Sequence, residues 1–242
     1  MKYYTQGRRL SYGEAIGILL IENYVPYIPG DVANATSYDF PVRFETLPGF
    51  TPDRLFNHDR SLLDDIMAAT KRLAGEGVRA ITGDCGFLAL YQREIARAAG
   101  VPVFLSSLLQ LDFIVRTITP DAKIGIITAN RPSLTPALLE EVTVVPSARL
   151  VITGLEGKEH FVSAVFREEG MLDSEVVERE VCEAADELRR DPSVRVILME
   201  CSLLPPYATA VQTRTGLPVF DYNTMINYVY QAVVARSFRG FM

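Results

Sequence analysis

Two cysteines occupy equivalent positions in an internal repeat of the sequence. When residues 78–104, VRAITGDCGFLALYQREIARAAGVPVF, are placed over residues 194–220, VRVILMECSLLPPYATAVQTRTGLPVF, ten of 27 positions are identical without a gap. Cys85 then falls on Cys201. Self-similarity at a fixed spacing is the signature of a duplicated structural unit. The chain is therefore predicted to contain two similar halves that each carry one cysteine at the same place.

Each of these cysteines follows an acidic residue, Asp84 or Glu200, at the point where a predicted buried strand gives way to a helix. Ligands in open α/β sheets bind at the carboxyl ends of strands. A helix N-terminus is also expected to lower the pKa of a thiol toward neutrality. Two thiols that face each other across a cleft could remove a proton from a carbon atom and return one to it. A lone cysteine is more often a small buried apolar residue, but burial alone would not keep cysteine in both halves.

The third cysteine and the remaining motifs favour no other chemistry. Cys182 lies on a predicted amphipathic helix beside Val181, and we assign it to packing. Cysteines spaced 97 and 19 residues apart predict neither a disulfide framework nor a zinc site. The segment GLEGKEH, residues 154–160, departs from a phosphate-binding loop, and no GxGxxG follows a strand. His58 and His160 are expected at the surface. We expect no cofactor and no metal.

Short β-branched segments alternate with helical patterns along most of the chain, which is typical of parallel strands joined by crossover helices. The predicted class is α/β, with two pseudo-symmetric lobes, a mainly parallel sheet flanked by helices in each, and the active site in the cleft between them. Strands are predicted at 16–21, 42–46, 78–82, 102–105, 124–128, 150–153, 194–199 and 218–220. Helices are predicted at 60–74, 87–99, 107–118, 132–140, 173–190, 205–215 and 224–238.

The repeat sets the predicted domain boundary. The N-terminal lobe is expected to span residues 1–118 and the C-terminal lobe residues 119–242, with the helix at 224–238 packing back on the first lobe or joining a dimer. Residues 22–40 form a long connection that is rich in Pro, Gly, Asn and Tyr. Loops of this length are usually functional or disordered, so this one is either a packed lid or a plain surface loop.

Composition points to a small-molecule ligand. Of the 242 residues, 48% are hydrophobic, the net charge is −6, and the 24 basic residues are scattered rather than clustered. This distribution argues against a nucleic-acid partner. The N-terminal apolar run is too short to span a membrane and has no small-residue cleavage site. We expect a cytoplasmic protein with no membrane partner, and a homo-oligomer is possible.

These motifs resemble the aspartate/glutamate/hydantoin racemase superfamily. The resemblance rests on the duplicated lobes, on TGDCGF with Cys85, on MECSLLPPYA with Cys201, and on the segments at 124–130 and 216–221. It implies an enzyme without a cofactor that binds a carboxylate-bearing substrate between its lobes and uses the two cysteines as opposed acid and base. The positions that it implies are backbone donors at Gly86, Phe87, Ser202 and Leu203, and side-chain contacts at Ser107, Thr128 and Asn130.

One branch of the same superfamily, the dimethylsulfoniopropionate lyases, shares the GDCGF stretch and the FLSSLLQ segment at 104–110. In that branch a cysteine would remove the proton α to the carboxylate, and dimethyl sulfide would leave from the β carbon. Tyr24, Tyr27 and Tyr38 could then surround the sulfonium, and Asp84 or Glu200 could balance its charge. The first choice from the sequence is a racemase or epimerase, because both halves keep a cysteine. The alternatives are this lyase and a non-catalytic carboxylate-binding protein.

Overall fold

Two four-stranded parallel β-sheets form the frame of the protein in the computed structural model, which describes residues 2–5 and 9–242. The strand order is β2-β1-β3-β4 in the first sheet and β6-β5-β7-β8 in the second, so the two halves repeat the same topology. The strands are β1 Ile16–Leu20, β2 Val42–Thr46, β3 Ala80–Gly83, β4 Val103–Phe104, β5 Lys123–Thr128, β6 Leu150–Gly154, β7 Val194–Met199 and β8 Val219–Phe220.

Helices cover both faces of the sheets, which is why the central strands β1, β3, β5 and β7 are apolar and buried along almost their whole length. The α-helices are α1 Pro52–Phe56, α2 Leu63–Glu76, α3 Gln92–Ala98, α4 Leu111–Ile114, α5 Pro136–Glu140, α6 Glu159–Phe161, α7 Ser174–Leu188, α8 Ala208–Thr215 and α9 Tyr222–Val233. Short 3-10 helices lie at Ala35–Ser37, Arg60–Leu62, Gly86–Tyr91, Ser107–Gln110, Ser147–Arg149 and Pro205–Tyr207, and a π-helical turn at Val162–Phe166.

The two repeated segments end their helices in the same way. Gly100 follows α3 with φ 70° and Gly216 follows α8 with φ 67°, and the two glycines are equivalent positions of the repeat. A positive φ is the left-handed conformation that glycine adopts without steric cost, and it commonly ends a helix. The Pro-Val-Phe strand that follows each glycine enters its sheet next to β3 or β7.

All eight predicted strands are present, with ends that differ by no more than two residues. The helices are less regular than their patterns predicted. The helix expected at 107–118 is a 3-10 turn followed by the short α4, which ends at Ile114, and the helix expected at 132–140 begins only at Pro136. Helix α1 and the segment from α6 through the π-helical turn were not predicted, because neither is long enough to show a helical period.

The hydrophobic core is continuous between the halves. One buried cluster joins Leu19 and Ile81 of the first sheet to Ile126 and Leu198 of the second. Helix α9, although it is last in the chain, packs through Ile226 and its neighbours against one face of the first sheet. The structure thus packs the C-terminal helix, which spans Tyr222–Val233, on the first sheet, while the division into two lobes at residue 118 stays a prediction.

The long connection at 22–40 is a packed segment. Val25 is buried in the core cluster of the second half, and Val32 is buried in a cluster of the first half. The Val32 N–H donates to the Ser202 carbonyl at 3.4 Å, which ties the segment to the second cysteine corner. Within the described residues, none of the helices combines the length and the apolar character that crossing a membrane requires.

Candidate active site

The same hydrogen bonds hold both cysteine corners. The Asp84 N–H donates to the Leu19 carbonyl at 3.0 Å, and the Leu88 N–H donates to the Cys85 carbonyl at 3.0 Å. These contacts carry the chain from β3 into a tight turn at the carboxyl end of the sheet. Both cysteines are therefore fixed by backbone geometry at the edge where ligands bind in α/β proteins.

At the second corner, the Glu200 N–H donates to the Ile127 carbonyl at 2.8 Å, and the Leu204 N–H donates to the Cys201 carbonyl at 3.2 Å. Each partner is the repeat equivalent of its counterpart in the first half. The duplication seen in the sequence is thus a duplication of local structure.

A small cavity lies between the two corners. Its volume is about 30 Å³, enough for about two water molecules. Both cysteines line it, with Cys85 partly exposed and Cys201 buried. The lining residues are Ile21, Asn23, Tyr27, Pro52, Phe56, Asp84, Cys85, Gly86, Phe87, Ala129, Val165, Phe166, Glu200, Cys201, Ser202 and Leu203.

The corners touch each other across the cavity. The Ser202 hydroxyl donates to the Asp84 carbonyl, and the Ser107 hydroxyl donates to the Met199 carbonyl at 3.0 Å. Gly86 lies so close to the carboxyl group of Glu200 that a Cβ atom built on the glycine would be 1.7 Å from Glu200 Oε1. Only glycine can therefore follow Cys85 while Glu200 keeps this position.

The two acidic residues beside the cysteines are buried carboxyl groups, each with one bonded and one unpaired oxygen. Asp84 Oδ1 accepts from the Ile21 N–H at 2.9 Å, and Glu200 Oε2 accepts from the Thr128 hydroxyl at 2.8 Å. Asp84 Oδ2 and Glu200 Oε1 have no hydrogen-bond partner. Burial raises the pKa of both carboxyl groups to about 7, against the lowering effect of these hydrogen bonds.

The thiols differ from the expectation of lowered pKa values. Burial, followed by the charge of Glu200, raises the pKa of both Cys85 and Cys201 above its usual range. The N–H groups of Phe87 and Leu203 contact the two sulfurs and oppose this shift only in part. The prediction was wrong because burial of the sulfurs, together with the nearby carboxyl groups, outweighs the N–H donors at the start of the 3-10 helix Gly86–Tyr91 and at the equivalent turn after Cys201.

Aromatic rings close the mouth of the cavity. Phe56 of α1 contacts Phe87 with ring centroids 4.9 Å apart, and it contacts Phe166 of the π-helical turn at 5.4 Å. The second contact joins the two halves. With its amide oriented to donate, Asn23 bonds Glu168 Oε1 at 2.8 Å and the Val165 carbonyl at 3.2 Å. These contacts connect the two halves beside the cavity.

Most side chains that line the cavity are apolar or aromatic, and Asp84 and Glu200 add two carboxyl groups. Among the described residues that form it, there is no lysine, arginine or histidine. The part of the chain that the structure describes also brings together no group of three metal-ligating side chains. An anionic group in this cavity would have only uncharged donors, such as backbone N–H groups, the Ser202 hydroxyl or the Asn23 amide, whereas a cationic group is favoured by aromatic faces and carboxylates.

Several relatives of the chain are named for the same activity. A dimethylsulfoniopropionate lyase of Durusdinium sp. clade D is 32% identical over 238 residues, which cover 94% of this chain and 75% of that protein. The chain belongs to the dimethylsulfoniopropionate lyase family. Dimethylsulfoniopropionate lyases 5 and 3 of Emiliania huxleyi are each 34% identical, over 90% and 88% of this chain. The chain spans 45% and 58% of their lengths, about half. No model of a protein family matches the chain.

Solved structures share the fold of this lyase-family chain. Allantoin racemase from Pseudomonas fluorescens has a TM-score of 0.58 at 16% identity, with 90% of each chain covered. Unliganded arylmalonate decarboxylase has a TM-score of 0.57 at 16% identity, covering 93% of this chain and 94% of that one. Glutamate racemase from Bacillus anthracis has a TM-score of 0.56 at 13% identity, covering 90% of this chain and 82% of that one. The predicted α/β architecture and the predicted likeness in fold to the racemases are confirmed.

The structure of this family member brings most of the predicted site residues together. The residues that line the cavity are Tyr27, Asp84, Cys85, Gly86, Phe87, Glu200, Cys201, Ser202 and Leu203. Three others do not line it. Ser107 and Thr128 are buried behind Glu200 and bond its carbonyl and its side chain, respectively, and Asn130 accepts from the Ser133 N–H at 3.1 Å in a turn.

Two of the three predicted tyrosines also lie elsewhere. Tyr24 is 73% exposed at the surface. Tyr38 donates its hydroxyl to the Val32 carbonyl and packs on Phe40, away from the cavity. Tyr27 alone of the three reaches the site, because its hydroxyl bonds the Asn23 carbonyl at 2.7 Å and holds the ring over the cavity.

The aromatic mouth of this lyase-family chain was not predicted. Phe56, Val165 and Phe166 lie on the short α1 and on the π-helical turn, neither of which has a periodic pattern. A π-helical turn is frequent at functional sites, but nothing in the residue types of Val162–Phe166 marks such a turn in the sequence.

Proposed function

We propose that this protein is a lyase that cleaves dimethylsulfoniopropionate to dimethyl sulfide and acrylate. The observation that carries the proposal is the relationship to named dimethylsulfoniopropionate lyases, at 32% identity over 94% of the chain in one of them. The sequence alone favoured racemisation, and the relatives favour the alternative. Proton removal next to a carboxylate is common to both reactions.

The cavity supports a substrate with one carboxylate and one sulfonium. A sulfonium has no N–H groups, so it needs no hydrogen-bond acceptors and is stabilised by aromatic faces and nearby negative charge. Tyr27, Phe56 and Phe166 offer such faces, while Asp84 and Glu200 supply the charge. The described lining has no cationic side chain to bind a second carboxylate, which disfavours dicarboxylic amino acids.

The proposed reaction is a β-elimination. A cysteine thiolate removes the α-proton, the C–H electrons form the Cα=Cβ bond, and the Cβ–S electrons leave with dimethyl sulfide. The N–H groups of Gly86 and Ser202, at the two turns, are the proposed donors to the substrate carboxylate, where negative charge grows in the transition state. Aromatic rings at the mouth exclude water from the carbanion-like species.

The test is the incubation of the purified protein with dimethylsulfoniopropionate in D2O. We expect dimethyl sulfide in the headspace and an equal amount of acrylate by NMR. Cys182→Ser, a variant of the cysteine on α7 outside the cavity, serves as the control for cysteine substitution and should keep this activity. Deuterium exchange at Cα of amino acids, without release of dimethyl sulfide, would contradict the proposal.

Racemisation stands as the second candidate because one observation favours it. Both cysteines line the same cavity, and a single-base elimination does not require two. The panel of amino acids in the same D2O experiment tests this candidate directly, since a two-base racemase exchanges the α-proton of both enantiomers.

A further inference from the structure

One carboxyl group at the mouth of the cavity belongs to neither cysteine corner. Glu168 follows the π-helical turn at Val162–Phe166, and its Oε1 accepts from the Asn23 side-chain amide at 2.8 Å when that amide is oriented to donate. Asn23 itself lines the cavity, and so do Val165 and Phe166, which stand three and two residues before Glu168. The carboxyl group is therefore one hydrogen-bonded side chain away from the cavity.

The backbone of Glu168 has an unfavourable conformation. Its φ is 51°, in the left-handed region that glycine adopts without steric cost and that other residues seldom adopt. The Arg167 N–H donates to the Val162 carbonyl at 3.0 Å and the Glu169 N–H donates to the Ser163 carbonyl at 3.1 Å, so the residues on both sides are fixed. Strained non-glycine residues concentrate at active sites and ligand clamps. A residue with a carboxyl group thus stands beside the cavity at a position that suits glycine.

The charge of Glu168 is not balanced by an ion pair in the part of the chain that the structure describes. Its neighbour Arg167 pairs instead with Glu159 and, at 3.3 Å, with Glu169. Asn23 offers only a neutral donor to one of the two carboxyl oxygens. This negative charge is therefore available to a cationic ligand.

The charge of Glu168 also reaches the aromatic wall of the cavity. Burial first, and then nearby negative charges that include Glu168, raise the pKa of the Tyr27 hydroxyl above its usual range. Tyr27 lines the cavity together with Phe56 and Phe166, whose ring centroids are 5.4 Å apart. A cation beside these rings is attracted by their faces and by the carboxylate.

The inner end of the cavity offers less negative charge than its two acidic residues suggest. Burial raises the pKa of both Asp84 and Glu200 to about 7, so each holds a proton for part of the time at neutral pH. A protonated carboxyl group donates a hydrogen bond, and the turns after the cysteines add N–H groups. A carboxylate is therefore tolerated at this end, and a cation is better placed at the mouth.

We propose that Glu168 is a specificity-determining residue, which selects a cationic group at the mouth of the cavity and orients the substrate with its carboxylate inward. The assignment rests on the proposed lyase function for the identity of that cation, a sulfonium. The positive charge on sulfur disappears as the Cβ–S electron pair leaves with dimethyl sulfide. Glu168 therefore stabilises the bound substrate more than the transition state, and it contributes to binding rather than to the chemical step.

The experiment compares two probes of equal shape by isothermal titration calorimetry. One is 3-(trimethylammonio)propanoate, which is cationic at the end remote from its carboxylate, and the other is 4,4-dimethylpentanoate, in which carbon replaces the charged nitrogen. Glu168→Gln keeps an oxygen that accepts from Asn23 and removes only the charge. It should weaken binding of the cationic probe by roughly threefold to tenfold and leave the neutral probe unchanged. Glu168→Lys should weaken binding of the cationic probe further.

Three results of this titration overturn the proposal. An equal loss of affinity for both probes would mean that Glu168 only supports the structure of the mouth. No loss for either probe, or a wild type that does not prefer the cationic probe, would mean that its charge selects nothing.

Glu169→Gln is the matched control, because it makes the same chemical change one residue further along. The Glu169 carboxyl group pairs with Arg167 and accepts from the Ser163 hydroxyl. Its loss should change the ratio of the two affinities by less than about twofold. Equal falls in the two variants would show that any charge on this segment suffices, and would contradict the assignment to Glu168.

Steady-state kinetics with dimethylsulfoniopropionate separate this proposal from the lyase function. Glu168→Gln should raise KM and leave kcat unchanged or higher, whereas a fall in kcat at constant KM would place Glu168 in the chemical step and overturn its role in binding. If the probes behave as expected but the wild type releases no dimethyl sulfide, the selection of a cation stands and the lyase proposal fails. If dimethyl sulfide is released but the probes do not discriminate, the lyase proposal stands and the role of Glu168 fails.

Discussion

The corner at Cys85 and the corner at Cys201 are built on equivalent backbone hydrogen bonds, yet a glycine follows one cysteine and a serine follows the other. Both corners have the same strand end, an acidic residue before the cysteine and an i to i+3 turn after it, although the acid is Asp84 at one corner and Glu200 at the other. The exposure of the two residues differs, since Cys85 is partly exposed and Cys201 is buried. A symmetric frame therefore holds an asymmetric pair of thiols.

The two corners therefore show which features both halves have kept since the duplication and which features have come to differ. The paired backbone contacts are needed to end a strand at the correct place, so both halves retain them. The side chains that line the cavity carry no such requirement, and they have diverged: Thr128 supports Glu200, whereas the equivalent position beside Asp84 is Leu20. An elimination needs one base, and the asymmetry is consistent with one active thiolate and one supporting thiol.

The largest difference between the two corners is expected in the activity of variants in which one cysteine is replaced. We expect the partly exposed Cys85 to be the base, so Cys85→Ser should lower the release of dimethyl sulfide by about 10³-fold. Cys201→Ser should lower the release of dimethyl sulfide by only about tenfold, since the second thiol only lines the cavity. Steady-state kinetics of both variants with dimethylsulfoniopropionate give the comparison. Equal losses, or a greater loss in Cys201→Ser, would mean that the two corners act as one symmetric pair.

A smaller effect should appear in stability. The carboxyl groups of Asp84 and Glu200 have folded-state pKa values raised to about 7, so between about pH 4 and pH 7 the folded protein binds more protons than the unfolded chain. Their contribution to stability is therefore greatest at low pH and falls as the pH rises toward 7. Glu200→Gln should raise the free energy of unfolding more at pH 8 than at pH 5.5, by on the order of 2 kcal/mol.

Urea denaturation at the two pH values measures this difference, and Asp84→Asn provides the same test in the other half. The surface carboxyl groups whose pKa values are lowered, such as Asp59 at about 2, do not interfere, because they remain ionised throughout this range. A variant that is equally stabilised at both pH values would show that Glu200 is ionised in the folded protein.

The smallest effect concerns the contact that only the serine corner makes. Ser202→Ala removes the hydroxyl that donates to the Asp84 carbonyl, and it should lower the free energy of unfolding by about 1 kcal/mol. The exposed Ser147 is the control, since Ser147→Ala should change stability by less than about 0.5 kcal/mol. Thermal or urea unfolding of the pair checks the prediction. No difference between them would indicate that water replaces the lost donor at this interface.

The sequence predicted the frame of the molecule well because its signals are local. Buried parallel strands are continuous apolar segments, and the repeat that pairs Cys85 with Cys201 could be read directly from identities. The placement of Gly86, Phe87, Ser202 and Leu203 followed from their position next to those cysteines. Residues in a turn at the end of a central strand have little freedom to lie elsewhere.

The parts that were wrong depend on contacts distant in sequence. Asn130 follows β5 as expected, but its side chain caps a turn and does not face the cavity. Tyr24 and Tyr27 are three residues apart in an irregular segment where no period fixes the direction of a side chain, and only one of them points inward. The raised thiol pKa values follow from burial among carboxyl groups of both halves, which no single segment reveals.

The π-helical turn at Val162–Phe166 makes the mouth of the cavity sensitive to chain length as well as to residue type. The Arg167 N–H bonds the Val162 carbonyl at 3.0 Å, five residues back, so this turn holds one residue more than an α-helical turn. Deleting one residue would rotate the following positions by about 100° and shift them by about 1.5 Å, carrying Phe166 off Phe56 while α6 stays where it is. Insertions and deletions at this turn would therefore widen or close the entrance without changing the sheets or the cysteines.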